Sequence, residues 1–289
     1  MRKFIYYLLC AFSGIARLIF KQNLRVLAFH QVPDRDIFSK QLDYLKSNYN
    51  IIDIQTLKES ISNREKKLPD YPLLISFDDG DKNTLENALP VLIEHQTSSC
   101  IFVVTEYMNS ETGFWWEMIK ENEKDKSFKE IRKIINYLKA IKNSERLKRL
   151  DTYSPVEEEQ LNTADLHLMK KNKMFVGNHS HTHPMFDQCT KSEIQKELDS
   201  SKQLFQKWDI QGFDTFAYPN GSWNKLSENI LKENGIKLAF LFDHKINPIK
   251  INPLRISRIK TNADMPIPEL KVKASGLHSL LWNFKRKID

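Results

Sequence analysis

Glycine is scarce, at 8 of 289 residues, against a usual share of roughly 7%. That excludes collagen-like chains, glycine linkers and glycine-rich repeats. Cysteine is scarcer. Cys10, Cys100 and Cys189 stand far apart, are odd in number and form no Cys-x-x-Cys pair, which excludes a disulfide scaffold and a cysteine zinc site. They leave the redox compartment open, because an oxidising environment does not oblige a chain to use disulfides. No fixed period or low-complexity tract recurs, so a solenoid is excluded. No basic helix carries interleaved aromatics, which argues against a nucleic-acid partner. No apolar run reaches the ~20 residues of a clean membrane span.

What is present is a chain able to bury a core: 40% of residues are hydrophobic and 28% charged, so disorder is excluded as a global description. The net charge of +7 is spread along the chain, with small clusters at Lys21–Arg25 and Lys285–Lys287. An anionic membrane surface or an anionic polymer would explain it; lysines that only solubilise the surface are the competing explanation. Arg2 and Lys3 precede an apolar stretch, Phe4 to Phe20, broken by Ser13 and Arg17. No small-x-small cleavage site follows cleanly, and Leu8 and Leu9 before Cys10 argue against lipoprotein processing. Residues 1–22 are therefore expected to form an apolar helix lying in the lipid interface. An uncleaved span, a signal peptide and a soluble helix are the alternatives.

From Leu24 onward, short apolar runs alternate with amphipathic stretches. The runs are Val26–Phe29, Ile51–Ile54, Leu73–Phe77, Cys100–Val104, Met174–Val176, Thr215–Tyr218, Leu238–Leu241 and Ile256–Ile259. Each is short and rich in β-branched or aromatic residues, as a strand buried on both faces should be. Ile194, Leu198, Leu204, Phe205 and Trp208 recur on one helical face. Leu85–His95 and Leu226–Asn234 also read as helices, the second closed by Gly235. Strand-then-helix repetition predicts a parallel α/β fold, with a (β/α) barrel as its leading form. Residues 23–289 form one domain in this reading. A long, charged, helical stretch at about 114–172 is read as an insertion, with Ile131, Ile134, Ile135 and Leu138 facing inward.

Several runs end in chemistry: the first in His30, the third in Asp78 and Asp79, the fifth in Asn178 and His179, and the sixth in Pro219 and Asn220. Sites in barrels and open α/β sheets are built at the carboxyl ends of strands. Adjacent acids repel, and persist most easily where a cation neutralises them. Strand neighbours point to opposite faces, so one acid can hold a metal while the other faces substrate. An N-capping Asp is the bland alternative. Three histidines in five residues, His179, His181 and His183, suit metal binding. The spacing of four predicts that one helical turn puts His179 and His183 on one face, leaving His181 outside. Asp79, His179 and His183 then make one carboxylate and two imidazoles, with open positions for water and substrate. Zinc fits this set, and so does Fe(II), Co(II) or another divalent ion. A 2-His-1-carboxylate iron oxygenase shares the donor set but not the strand–helix text.

Ser76-Phe77-Asp78-Asp79-Gly80, His179-Ser180-x-x-His183-Pro184 and Phe216-Ala217-Tyr218-Pro219-x-Gly221 resemble, in that order, the motifs of polysaccharide deacetylases, the NodB-homology or carbohydrate esterase 4 family. The resemblance extends to Phe29-His30-x-Val32 and Arg255-x-x-Arg258 and covers roughly Leu24 to Ile259. It implies a distorted (β/α) barrel with fewer regular strands than the eightfold form. It implies Asp78 as general base, Asp79, His179 and His183 as metal ligands, Tyr218 as the donor of a backbone N–H to the oxyanion, and Arg258 as the residue that orients the base. The implied cofactor is a divalent ion, zinc first, with Co²⁺, Ni²⁺ or Fe²⁺ as substitutes. The implied substrate is an N-acetylated polysaccharide or lipid-linked glycan, and the implied location a membrane-associated one in a bacterial cell envelope. Many members use a histidine from a late Leu-x-x-x-His motif as the acid; no convincing copy is found here. His30 is the preferred acid, with His244 weaker and His278 read as part of a terminal amphipathic helix. Trp115, Trp116, Tyr218 and Trp223 are candidates for sugar stacking, with packing of the insertion the competing use of the first two. Two other functions stay open: a glycosidase using Asp78 with a second carboxylate, and an inactive membrane-associated glycan-binding protein.

Overall fold

A computed structural model describes residues 2–63 and 65–285. Met1 of the apolar segment, Arg64, and residues 286 and 287 of the terminal basic cluster lie outside the described residues. Two short helices, α1 (Arg2–Cys10) and α2 (Ser13–Ile19), precede strand β1 (Arg25–Phe29). Then come α3 (Arg35–Asn48), β2 (Asn50–Ile51), α4 (Ile54–Ser62) and β3 (Pro72–Phe77). A π-helical turn, Thr84–Ala88, leads into α5 (Leu89–Glu94) and β4 (Ser99–Val103). Four helices follow before the next strand: α6 (Trp115–Asn122), α7 (Phe128–Ala140), α8 (Asn143–Leu150) and α9 (Thr163–Lys171). The chain ends with β5 (Met174–Asn178), α10 (Lys191–Lys207), β6 (Thr215–Ala217), α11 (Lys225–Glu233), β7 (Leu238–Phe240), β8 (Ile259–Lys260), α12 (Ile267–Ala274) and α13 (Leu277–Lys285).

All strand pairs are parallel, in the order β7-β6-β5-β4-β3-β1-β8, with β2 paired to the start of β3. Ile256 forms a parallel bridge with Phe240, and Lys260 pairs with Ala28. Residues 256–260 thus touch both edges of the sheet and close the ring. The result is a parallel α/β barrel, as the strand-then-helix text predicted, in the distorted form that the family resemblance implied. Period-two alternation divides its side chains between two faces. Val26, Leu74, Cys100, Phe102, Phe240 and Ile256 fill the interior. Leu27, Phe29, Ile75, Phe77, Ile101 and Val103 lie under the helices. Both faces are apolar because both are covered.

Among the boundaries that differ from the sequence reading, two have a clear local cause; the run Ile256–Ile259 is strand only from Ile259 on. The run Ile51–Ile54 is strand only at its start: the Asp53 side chain accepts the Thr56 N–H at 2.7 Å and begins α4 there, so capping ends the strand. The helix over Leu85–His95 is split into the π-helical turn and α5. Pro90 follows the junction; it lacks the N–H that would carry an α-helical bond to residue 86, and the register widens there. The expected stop of α11 at Gly235 is present, with φ +79°.

The four helices between β4 and β5 share a small core of their own. Leu138 is buried there with Trp115 and Ile119, and Ile131, Ile134 and Ile135 pack against it. At the other end, α1 and α2 lie on α12 and α13. Tyr6, Ser13 and Ala16 face inward, while Ile5, Leu8, Phe12, Ile15, Leu18 and Ile19 are exposed. No helix among the described residues is long and apolar enough to cross a membrane.

Candidate metal centre and active site

Parallel strands put every carboxyl end on one rim of the barrel. The ladder runs past the formal strand ends: the Asp78 N–H donates to the Phe29 carbonyl at 3.0 Å, and the His179 N–H to the Val103 carbonyl at 2.9 Å. His30, Asp78, Asp79 and His179 are thereby delivered to one rim from sequence positions some 150 residues apart. Together with His183, Phe242 and Asn220 they line a cavity of ≈ 210 Å³.

Asp79, His179 and His183 come together at its base, with one donor atom from each lying within 4.8 Å of the others. Asp79 Oδ1 is 3.5 Å from His179 Nε2 and 3.6 Å from His183 Nε2. His179 Nδ1 sits 2.8 Å from the Ala217 carbonyl oxygen. A carbonyl only accepts, so Nδ1 is the donor in this contact and Nε2 is the ring nitrogen turned toward Asp79. Burial pushes the His183 imidazole well below its ordinary pKa, with the neighbouring His179 adding to the effect. His183 is thus a neutral donor. Burial pushes the Asp79 carboxyl up, but the neighbouring imidazoles, His179 first and then His30 and His183, outweigh it and hold Asp79 below its ordinary value. One carboxylate oxygen and two imidazole nitrogens converge within a few ångströms of one another, a geometry that a single cation would bridge. The donor set fits a divalent ion.

Asp78 is built differently. It is buried and held on both oxygens by Arg258, with Nη1 donating to Oδ1 at 2.5 Å and Nη2 to Oδ2 at 2.8 Å. Arg258 is itself fully buried. Its Nε donates to the Leu241 carbonyl at 2.7 Å, and its guanidinium lies over the Phe102 and Phe242 rings. Burial raises the Asp78 pKa, yet Arg258 and then His179 outweigh it and keep the carboxyl below its ordinary value. The expected orienting role of Arg258 rests on this fork-to-fork contact.

Residues 179–183 do not form a helical turn, contrary to the expectation from their spacing. Ser180 and His183 take left-handed φ of 71° and 57°, and the His183 N–H donates to Ser180 Oγ at 3.0 Å. The loop is gripped from outside by Glu197 of α10. Its Oε2 accepts the N–H groups of His181 and Thr182 at 2.8 and 2.7 Å, and its Oε1 accepts the Thr182 hydroxyl at 2.7 Å. His181 turns away to Thr105. Asp79, at φ 73°, and Asn220, at φ 56°, are left-handed too. Each such non-glycine residue costs roughly 1–3 kcal/mol, and such strain concentrates at functional sites.

Tyr218 is a correction. Its N–H donates to the Phe240 carbonyl at 3.0 Å as part of the β6–β7 ladder, its ring is buried, and it does not line the cavity. It is not placed to hold an oxyanion or to stack on a sugar. The next two residues turn the chain back to the rim. Gly221, at φ +70°, is required there, because a Cβ would lie 2.4 Å from the Phe242 nitrogen.

His30 is half exposed at the cavity mouth, with Nε2 4.0 Å from Asp79 Oδ2. Its loop is pinned by the π-helical turn and the residues before it: the Val32 N–H donates to Asn83 Oδ1 at 2.5 Å, and Asn87 Nδ2 to the Val32 carbonyl at 2.9 Å. His244 and His278 pack against each other and do not line the cavity. Trp115 is buried among the inserted helices beneath Arg146, whereas Trp116 reaches the cavity and meets the His183 ring edge-on at 4.8 Å. Trp223 lies under the Arg255 guanidinium, 4.1 Å from its ring centre.

The inserted helices supply one wall of the cavity: Trp116, Lys120, Ile135 and Lys139. Asn220, expected at the end of the sixth run, lines the cavity as read; Lys120, Lys139, Phe242 and Glu197 were not singled out by sequence reasoning. Lys139 carried a usable signal, since it stands four residues after Ile135, on the apolar side of α7.

The family model described as polysaccharide deacetylase matches residues 65–239. The poly-β-1,6-N-acetyl-D-glucosamine N-deacetylase of Staphylococcus aureus (strain MSSA476) is 26% identical over 228 residues, spanning 78% of this chain and 67% of that protein. Among solved structures, IcaB from Ammonifex degensii superposes with a TM-score of 0.62 at 19% identity, over 88% of this chain and 97% of that one. The Streptococcus pyogenes deacetylase PplD, solved in complex with acetate, gives 0.61 at 18% identity, over 88% and 98%. These two likenesses are of fold.

Proposed function

Because the chain belongs to the polysaccharide deacetylase family, we propose that it hydrolyses the acetamide of N-acetylated sugar units in a glycan, releasing acetate and leaving a free amine. The convergence of Asp79, His179 and His183 beside the Asp78–Arg258 pair carries this reading. Staphylococcal relatives named for a poly-N-acetylglucosamine substrate support a hexosamine polymer; a lipid-linked unit is the variant to test beside it.

Asp79 Oδ1 and the Nε2 atoms of His179 and His183 would hold a divalent ion, Zn²⁺ first, with Co²⁺, Ni²⁺ or Fe²⁺ as substitutes. Such an ion supplies Lewis acidity at the amide carbonyl and acidifies water toward pKa ~7. Asp78, kept ionised by Arg258, accepts the proton of the attacking water. Its oxygens are already oriented by two guanidinium hydrogen bonds, so no reorganisation is needed at that moment. As the C–N bond breaks, His30 donates a proton to the leaving nitrogen; its exposed ring lets it exchange protons with solvent between turnovers. The Trp116 ring and the Phe242 edge narrow the cavity around the acetyl group and limit access of other water.

The same proposal places the protein at a lipid surface. The apolar side chains left outside on α1 and α2 form a two-helix face, and Arg17 and Lys21 border it. Helices of this kind lie in the interface rather than cross it.

The test is acetate release from poly-N-acetylglucosamine and from a lipid-linked N-acetylated sugar, with protein stripped of metal and then reloaded with zinc. His179→Ala is expected to lose bound metal and acetate release together. Stoichiometric metal in that variant, or full turnover in chelator, refutes the assignment.

A further inference from the structure

Lys139 has no assigned part in the chemistry above, yet it is a half-buried cation in the same cavity. It sits on α7, four residues after Ile135, and both line the wall facing the metal ligands. Its Nζ donates to Asn220 Oδ1 at 3.1 Å. Among the described residues no carboxylate lies within ion-pairing distance of it. The other charges nearby are accounted for. Asp78 is matched by Arg258, and Lys120 pairs with Glu117 at 2.6 Å. Asp79 acts on Lys139 through space but faces His179 and His183. Arg132 and Lys260 add repulsion, and burial further disfavours the charged amine.

One neutral acceptor satisfies one of the three donors of an ammonium group. A lysine fully removed from water is almost always paired, and closing a substrate over the cavity would take Lys139 in that direction. With Asp78 matched by Arg258, and Asp79 committed to a divalent ion that would sit among the three ligands, the ammonium of Lys139 would keep no counter-charge of its own in the cavity. The missing partner is an oxyanion supplied from outside the chain.

We propose that Lys139 is a specificity residue that binds an anionic group, a carboxylate or a phosphate, carried by the N-acetylated sugar whose acetamide lies at the metal centre. This rests on the deacetylase reading and narrows its substrate class. Lysine suits either oxyanion as a compact point charge. Lys139 neither donates nor accepts a proton in the reaction. It sets which sugar is held, and Asn220, at the tip of the β6 loop, holds the ammonium in place.

The experiment compares three substrates on the zinc-loaded full chain: an N-acetylglucosamine disaccharide, N-acetylglucosamine 1-phosphate and an N-acetylhexosaminuronate. In parallel, calorimetry measures binding of the same three to the metal-stripped full chain, where no turnover occurs and no metal can draw the anion. The wild type is expected to favour an anionic sugar by about 10- to 100-fold, the scale of one charge-assisted hydrogen bond. The preference is expected in KM and in binding. Lys139→Met should bring it to within about twofold, and Lys139→Arg should keep most of it. Which anionic sugar wins separates a phosphate-linked unit from a uronate-bearing one. Wild type without anionic preference overturns the proposal, as does a preference that survives in Lys139→Met. So does a Lys139→Met loss that is equal on all three, or confined to kcat, since those outcomes mean a packing or transition-state role. If no substrate yields acetate while the Lys139-dependent binding preference holds, the deacetylase reading fails and the anion site stands.

Discussion

Replacing Arg258 with methionine should be among the most damaging single changes to this protein's stability, and a second substitution should undo most of the damage. Arg258 and Asp78 are both buried, and two hydrogen bonds join them. Methionine keeps much of the side chain's apolar packing against Phe102 and Phe242 but removes the charge. An ionised Asp78 left alone in that environment costs about 3–5 kcal/mol. The carboxyl can escape by taking a proton. From its ordinary value of 3.8 to pH 7 that escape costs roughly 4 kcal/mol, so both routes give the same size of loss. In a chain of this length each kcal/mol moves the melting temperature by roughly 2–4 °C, so a drop of about 10 °C is expected. Asp78→Asn alone leaves a buried guanidinium and should cost a similar amount. The double variant Asp78→Asn/Arg258→Met removes both charges and should lie within about 2 kcal/mol of wild type, giving a coupling of at least ~3 kcal/mol. Guanidinium unfolding of the four metal-free proteins at pH 7 measures it. Additive losses in the double variant, or a loss under ~1 kcal/mol for Arg258→Met, would show that the pair is not the buried, mutually dependent unit described here.

Glu197→Ala removes the acceptor of three hydrogen bonds from the ligand-bearing loop while leaving every metal donor in place. Zinc affinity is expected to fall about tenfold or more; an unchanged affinity in a chelator-competition titration would mean the loop holds its shape unaided. The Arg255 partner holds Glu228 at about 2, below its ordinary 4.5. A depressed carboxyl stabilises the fold above pH 4.5 and loses that contribution as pH falls toward 2. Stability should decline with acid by up to ~1.4 kcal/mol per pH unit in that window, and Glu228→Gln should flatten the decline; matching acid profiles for the two proteins count against it. Leu8→Glu together with Ile15→Glu should release the protein from anionic vesicles in a flotation assay while acetate release from a soluble substrate persists. Flotation equal to wild type would remove the interfacial face from the account.

The strand ends were legible because barrel strands are apolar on both sides, so the first polar residue after each run stands out. His30, Asp78, Asp79 and His179 were found that way. The pairing of His179 with His183 was legible in residue type but not in shape. Spacing of four suggests a helix, and only the grip of Glu197 and the left-handed turns at Ser180 and His183 bring the rings together without one. Tyr218 shows the opposite failure. Its motif position suggested a free N–H, but that N–H belongs to the β6–β7 ladder, a pairing made with a strand some twenty residues later. Lys139 carried a signal, four residues after Ile135 on the apolar side of α7, but the lysine-rich insertion around it masked that signal until α7 was laid across the rim. Asp53 was hidden by locality, since capping competes with strand extension on equal terms.

Closure of the barrel by residues 256–260 has a bearing on how the protein comes into being. The partner of Asp78 rides on that seam, 180 residues downstream of it. A nascent chain that has emerged from the ribosome only as far as β7 already owns Asp79 and both imidazoles, yet Asp78 has no guanidinium to pair with. The Asp78–Arg258 pair therefore forms last, with the closing strand of the ring, and a molecule cut short before Arg258 would lack it.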